Sequence, residues 1–218
     1  MSKKIVLLVT ACLVTIVALG AAAYAGPIRT SILTPYGSPP AATMSGTGAI
    51  TFTISRYGVP TALSCTGTTF GAAVSTPSLT GYATISTFNG GSCGAWTVTR
   101  TCNIRVDADT TQNVDPTITD ANVTGRAYFT NGSSGCLQFA DSLTGCTFTA
   151  GGSVPASFDE VPDGSTYQGL ALSGSGLQVS NVSGCLGAYS NGGAVTVSAA
   201  AFRVHVTGVS DYHLDFVD

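Results

Sequence analysis

Lysine and glutamate are almost absent from this chain beyond residue 25. Lys3 and Lys4 are the only lysines, Glu160 is the single glutamate, and charged residues make up 9% of the sequence. Helices usually place Glu, Lys and Gln on their exposed faces, so this composition argues against a helical protein. Apolar residues reach 44%, which excludes the highly charged, weakly apolar composition of disordered chains. The sequence therefore predicts a folded protein built from β-strands.

Positive charge is scarce throughout the same region. Six arginines stand against eleven acidic residues after residue 25, which gives this part of the chain a net charge of −5. Scattered arginines without lysine form no cationic stripe that could neutralise phosphate groups. We therefore expect no nucleic acid as a partner. Anionic membrane surfaces are disfavoured for the same reason, and no membrane association is expected once the leader is removed.

The first 25 residues differ from the rest and have the features of an export signal. Lys3 and Lys4 are followed by an apolar run over residues 5–19. Ala23-Tyr24-Ala25 then supplies the small-x-small pattern that signal peptidase cleaves. We expect a signal peptide over residues 1–25 and a protein that is secreted, either extracellular or associated with the cell wall.

Two other interpretations of the leader were weighed against cleavage. No charge lies between Lys4 and Arg29, a stretch long enough to form an uncleaved membrane anchor. Cys12 formally fits a lipidation site, but the apolar run before it is short and no polar tether follows it. The alanine-rich end and the Gly26-Pro27 break favour cleavage over both.

Six cysteines follow the predicted cleavage site, and an even number in an exported chain favours three disulfides. Zinc is the alternative, but it favours closely spaced ligand pairs and no CxxC occurs here. The two histidines, His205 and His213, also lie at the C-terminal end, away from every cysteine. The six cysteines are Cys65, Cys93, Cys102, Cys136, Cys146 and Cys185.

Alternation of apolar and polar residues marks the strands. Residues 50–55 alternate with a clean period of two, and similar segments recur between Gly- and Asn-rich turns such as Asn131-Gly132. Residues 26–45 are proline-rich and are expected to form an extended segment, so that residues 46–218 form the domain. We predict an all-β fold, an antiparallel β-sandwich or barrel with about 10–13 short strands linked by disulfides. Four of the predicted strands in its second half span residues 144–150, 153–158, 166–173 and 176–182.

Several short motifs occur in an order that resembles a group of small exported actinobacterial proteins containing cysteine. They are Ser64-Cys65, Ser86-Thr87-Phe88-Asn89 leading to Cys93, Trp96-Thr97-Val98, Gly145-Cys146-Thr147-Phe148, and the run from Leu177 to Gly187. The resemblance covers roughly residues 46–207 and implies a secreted all-β domain, without implying an activity. Cys102 and Cys136 depart from the pattern as an added pair. The pairing implied on this basis, one of fifteen, is Cys65–Cys93, Cys102–Cys136 and Cys146–Cys185.

Two features of the sequence are catalytic candidates. Gly90-Gly91-Ser92-Cys93-Gly94 matches G-x-S-x-G, but a nucleophile elbow needs a helix after the serine and a strand is predicted there. His205 shares a strand face with Arg203, and His213 alternates with nearby acids. Because the sequence specifies no oxyanion hole or buried orienting acid, no catalytic residue is assigned. A secreted hydrolase using His205 or His213 is the alternative function.

One oxygen-rich loop, residues 107–115, is a candidate calcium site through Asp107, Asp109 and Asp115. Calcium is bound by several carboxylate and carbonyl oxygens on a flexible loop, but this loop lacks the central Gly and final Glu of an EF-hand. An acidic turn without metal explains the same residues and is favoured. We therefore expect no cofactor, with calcium as the weaker alternative.

These features together predict a secreted, non-catalytic β-domain that serves as a binding or structural module. An exposed strand edge or a loop end would be its interaction surface. The expected partner is an extracellular protein or a cell-wall glycan.

Overall fold

The computed structural model describes residues 28–29, 43–74, 83–109, 122–132, 134–159, 168–207 and 215–216. These residues form fourteen β-strands and no helix, which confirms the predicted all-β class. No helix in the described ranges is long and apolar enough to cross a membrane. The leader over residues 1–25 lies outside them.

The strands vary from two to sixteen residues. In chain order they are β1 (Ile28–Arg29), β2 (Thr43–Arg56), β3 (Val59–Val74), β4 (Ala83–Asn89), β5 (Trp96–Arg100), β6 (Ile104–Ala108), β7 (Asn122–Tyr128), β8 (Thr130–Asn131), β9 (Ser134–Gly135), β10 (Leu137–Asp141), β11 (Thr147–Asp159), β12 (Gln168–Ser183), β13 (Ala194–Thr207) and β14 (Asp215–Phe216).

Ten of the strands form a closed antiparallel barrel wall. Going round it, β2 is followed by β3, β4, β6, β7, β11, β12 and β13, and β13 pairs with β2 again. Towards one end, β5 and β10 replace β6 and β7 between β4 and β11. Closing a sheet on itself removes its edges. The exposed strand edge predicted as an interaction surface is therefore absent from the described barrel wall, whereas loop ends are present.

Several strands are longer than the sequence pattern predicts. The predicted strands at 144–150 and 153–158 are one strand, β11, and those at 166–173 and 176–182 are one strand, β12. Glycines interrupt the alternation, but β-bulges carry the pairing past them. A Cβ at Gly152 would collide with the carbonyl oxygen of Gly176, so glycine is required where these two strands approach closely.

The N-terminal boundary of the barrel also differs slightly from the expected one. β2 begins at Thr43, inside the segment 26–45 that was expected to be merely extended, because the alternation continues back through the buried Met44. Further back, β1 pairs with β14 near the C-terminus.

Phenylalanines fill the barrel interior. The rings of Phe52 and Phe139 meet edge to face at 5.1 Å, and Phe139 stacks on Phe148 at 4.8 Å. Tyr189 continues this column, with its ring 4.9 Å from that of Phe148. Eight-stranded barrels have an interior just wide enough for side chains to fill, and this column occupies the interior towards one end.

The direction of the strands places four loops at that same end, which we call the upper end. They are residues 57–58 between β2 and β3, 90–95 between β4 and β5, 142–146 between β10 and β11, and 184–193 between β12 and β13. Connections at the opposite, lower end fall in residues 75–82, 110–121 and 160–167, outside the described residues. The four upper-end loops, by contrast, lie entirely within the described residues.

Candidate functional site

The G-x-S-x-G motif lies in a strand-to-strand loop. Cys93 is bonded to Cys65, and Ser92 exchanges two backbone hydrogen bonds with Thr66, at 2.8 and 2.9 Å. Strand β5 follows the motif at Trp96. The geometry is that of a loop pinned to β3, as the sequence predicts, and not that of a nucleophile elbow before a helix.

His205 is not part of the upper end. His205 lies on β13, partly exposed, directly opposite Ser45 of β2 and close to the lower end of the barrel. His213 lies outside the described residues. The hydrolase alternative therefore has one histidine whose position is known, on the outer wall and opposite a serine.

The candidate calcium loop is only partly described. Asp107 forms an ion pair with Arg105 at 3.0 Å, and Asp109 accepts a hydrogen bond from the Thr124 hydroxyl at 3.5 Å. Asp115 lies outside the described residues. In the ranges that the structure describes, no group of three or more His, Cys, Asp or Glu residues could hold a metal ion.

The six cysteines after residue 25 are joined in disulfides: Cys65–Cys93, Cys102–Cys136 and Cys146–Cys185. These are the three pairs that the resemblance implies. The first fastens the 90–95 loop to β3, and the third fastens the 184–193 loop to the start of β11. The second joins the β5–β6 connection to the segment before β10. Two of the three disulfides therefore hold loops of the upper end.

The most exposed large apolar side chains lie at this end as well. Four such residues stand out in the described part of the chain, and each lies in an upper-end loop or beside one. Isolated exposed apolar residues are ordinary, but a group of them on one face marks an interaction surface. They are Tyr57 (64% exposed), Val59 (63%), Leu143 (82%) and Leu186 (90%).

Hydrogen bonds hold these loops in place. The Tyr57 amide donates to the Ala188 carbonyl at 2.8 Å, which links the first loop to the last. The Asp141 carboxylate accepts from the Leu143 amide at 2.9 Å and from the Thr144 hydroxyl at 2.8 Å. These two donors hold the pKa of Asp141 below its usual value. Leu143 is thus exposed on a turn with fixed geometry.

A small recess lies between the loops. Its walls are the aromatic rings of Tyr57, Trp96 and Tyr189, together with Leu186 and the Cys146–Cys185 disulfide. The Trp96 and Tyr189 rings meet edge to face at 5.7 Å. The volume of the recess is about 70 Å³, whereas pockets for small-molecule ligands measure roughly 300–1,000 Å³. The recess is therefore suited to one inserted side chain and not to a whole ligand molecule.

Charge is balanced at the upper end. Arg56 and Asp141 are the only charged residues in its four loops and the strand residues that flank them, and both line the recess. The Arg56 guanidinium lies 5.9 Å from the centre of the Tyr57 ring. Burial raises the pKa of the Tyr189 phenol, an effect that Arg56 opposes and Asp141 reinforces. The surface therefore combines exposed apolar and aromatic side chains with one charge of each sign and carries no net charge.

Two of the exposed apolar residues have a left-handed backbone. Tyr57 has φ 50° and precedes Gly58 at 79°, and Leu186 has φ 48° and precedes Gly187 at 76°. The first position of such a turn is usually Asn, Asp or Gly. A large side chain there costs roughly 1–2 kcal/mol. Strain of this kind is concentrated at functional sites, so both residues point to the upper end as a site of recognition.

The exposed apolar tips were not predicted from the sequence. A signal for two of them was present, because Tyr57-Gly58 and Leu186-Gly187 each place a large apolar residue directly before glycine in a loop between strands. Nothing comparable marks Leu143.

No family model matches the chain. Neither the curated proteins nor the solved structures contain a match. The assignment of a function therefore depends on the geometry of the upper end.

Proposed function

We propose that this protein is an extracellular, non-catalytic binding module that recognises its partner through the upper end of the barrel. One observation carries the proposal: the four most exposed large apolar residues in the described ranges share that end. The predicted signal peptide and the three disulfides support the extracellular location, because disulfides persist in oxidising compartments. The protein is then a rigid support for a set of loops.

Two exposed leucines contribute little to the stability of the isolated chain, and this supports recognition at the upper end. Fully burying a leucine side chain stabilises a protein by about 1.5–3 kcal/mol, and Leu143 and Leu186 gain almost none of this in the monomer. The left-handed backbone conformation of Leu186 is an additional cost at that residue. Both costs are accounted for if a partner covers the surface and buries these side chains.

The residue types at the recess support a macromolecular partner. Tyr, Trp and Arg are the residues that most often dominate binding energy at protein interfaces, and Tyr57, Trp96 and Arg56 line the recess together. Loops held by disulfides lose little conformational entropy when they bind. Such a surface can bind tightly over a small area.

Retention experiments with a matched control test this proposal. The purified chain is immobilised and exposed separately to secreted proteins and to cell-wall glycan fragments. We expect Leu143→Asn combined with Leu186→Asn to reduce specific retention at least tenfold. Thr69→Asn combined with Gln138→Asn changes two exposed residues of the outer wall and should leave retention unchanged. Equal retention by both double variants, or no specific retention by the unaltered chain, would contradict the proposal.

A further inference from the structure

We infer that the partner at the upper end is a second copy of this chain, bound face to face about a two-fold axis. This inference rests on the proposed function, because it names the occupant of the same surface. In a two-fold interface the same patch serves both subunits, so the patch must be complementary to itself. The upper end meets this requirement in shape and in charge.

The shape requirement is met by a projecting side chain beside a matching recess. Leu143 projects from the 142–146 loop with 82% of its surface exposed. The neighbouring recess, lined by Trp96, Tyr189 and the Cys146–Cys185 disulfide, has a volume of about 70 Å³. A recess of this size accepts one aliphatic side chain. In a two-fold dimer each Leu143 would occupy the recess of the other copy, so the contact forms twice.

The charge requirement is met by the neutrality of this end. The chain after residue 25 carries a net charge of −5, yet the upper-end loops and their flanking residues hold one arginine and one aspartate. Two identical acidic molecules repel each other over most of their surface. At the upper end, which is the neutral face, two copies can meet without like charges facing each other across the contact. A strongly charged partner would gain little electrostatic attraction from the same face.

The rigidity of the loops favours association of two free copies without rearrangement. The Tyr57–Ala188 hydrogen bond, the Asp141 turn and the two upper-end disulfides fix the loops before binding. Little additional ordering is then needed when the faces meet. The same contact would cover Leu186 and Tyr57, which line the recess.

Sedimentation equilibrium of the purified, oxidised chain from micromolar to millimolar concentration tests the inference. We expect a reversible monomer–dimer equilibrium that high salt does not weaken, because the contact has no net charge and salt screens only the repulsion between the two acidic molecules. Leu143→Asn should weaken dimerisation at least tenfold. Because the contact forms twice, the mixed dimer of unaltered and variant chains should be weakened by the square root of that factor. Thr69→Asn should dimerise like the unaltered chain.

The outcomes separate this inference from the proposed function. A chain that stays monomeric throughout, or a dimer that Leu143→Asn leaves intact, overturns self-association through the upper end. If such a monomeric chain still retains another macromolecule through the upper end, the proposed function stands and only the second copy is excluded. If it retains nothing, both fail.

Discussion

Replacing Leu186 with asparagine should stabilise the fold while removing an apolar side chain from the binding surface. Leu186 has φ 48° and is 90% exposed. Asparagine adopts the left-handed conformation more readily, so relief of strain is worth about 1–2 kcal/mol. With only a tenth of the side chain buried, the lost apolar contact costs about 0.2–0.3 kcal/mol. We expect a net gain of about 1 kcal/mol, or about 2–4 °C in Tm for a chain of this size.

Guanidinium unfolding of the oxidised protein measures this gain. The protein concentration must be low enough for the chain to be monomeric, because association would stabilise the unaltered chain by mass action. Leu143→Asn is a matched control, since Leu143 is 82% exposed and is absent from the described residues with positive φ. It should change the free energy of unfolding by less than about 0.5 kcal/mol. A Leu186→Asn variant that is destabilised by about 1 kcal/mol or more, relative to a neutral Leu143→Asn, would refute the reasoning.

Three further predictions concern the residues around the recess and the remaining disulfide. Burial raises the pKa of Tyr189 above the usual tyrosine value of 10.0, so the folded state loses stability as pH rises above 10. Tyr189→Phe should reduce that loss in urea unfolding between about pH 8 and 11. Hydrogen bonds lower the pKa of Asp141 below 3.8, so Asp141→Ala should be less stable at pH 7, and in acid unfolding the difference should shrink as the pH falls through that lowered pKa. Removing the disulfide with Cys102→Ala and Cys136→Ala opens a loop of 34 residues and should cost about 3.8 kcal/mol in denaturant unfolding, with upper-end retention unchanged.

Local sequence patterns predict the strands well and the closure of the barrel poorly. The alternation over residues 50–55 is enough to place β2, because a strand with one buried face has a period of two. Closure depends on pairs such as His205 with Ser45, which are far apart in the chain. No local pattern encodes these pairs, so a sandwich and a barrel remained equally compatible with the sequence.

Glycine explains why two long strands were divided in the prediction. Gly152 and Gly176 break the alternation of β11 and β12, and in most sequences such breaks mark turns. Here they allow two backbones to approach closely at a bulge. The distinction depends on the neighbouring strand, which the local sequence does not contain.

The candidate site depends on exposure, and this property is the hardest to predict from a single sequence. Leu143 and Leu186 resemble core leucines in a chain whose strands are generally apolar on one face. Only the positions of β10–β13 show that both lie on loop tips at the same end. The order of the cysteines did contain information, since the pairs implied by the resemblance are the ones that fasten these loops.

Hydroxyl-radical footprinting tests the central claim, that the upper end is the recognition surface, most directly. The method measures the accessibility of individual side chains, so oxidation of the protein in its native culture can be compared with that of the dilute, purified chain. The account predicts that Tyr57, Leu143 and Leu186 are protected in the culture, while the partly exposed Leu63 on β3 is oxidised equally in both samples. Equal oxidation of the three upper-end residues in the two samples would contradict it.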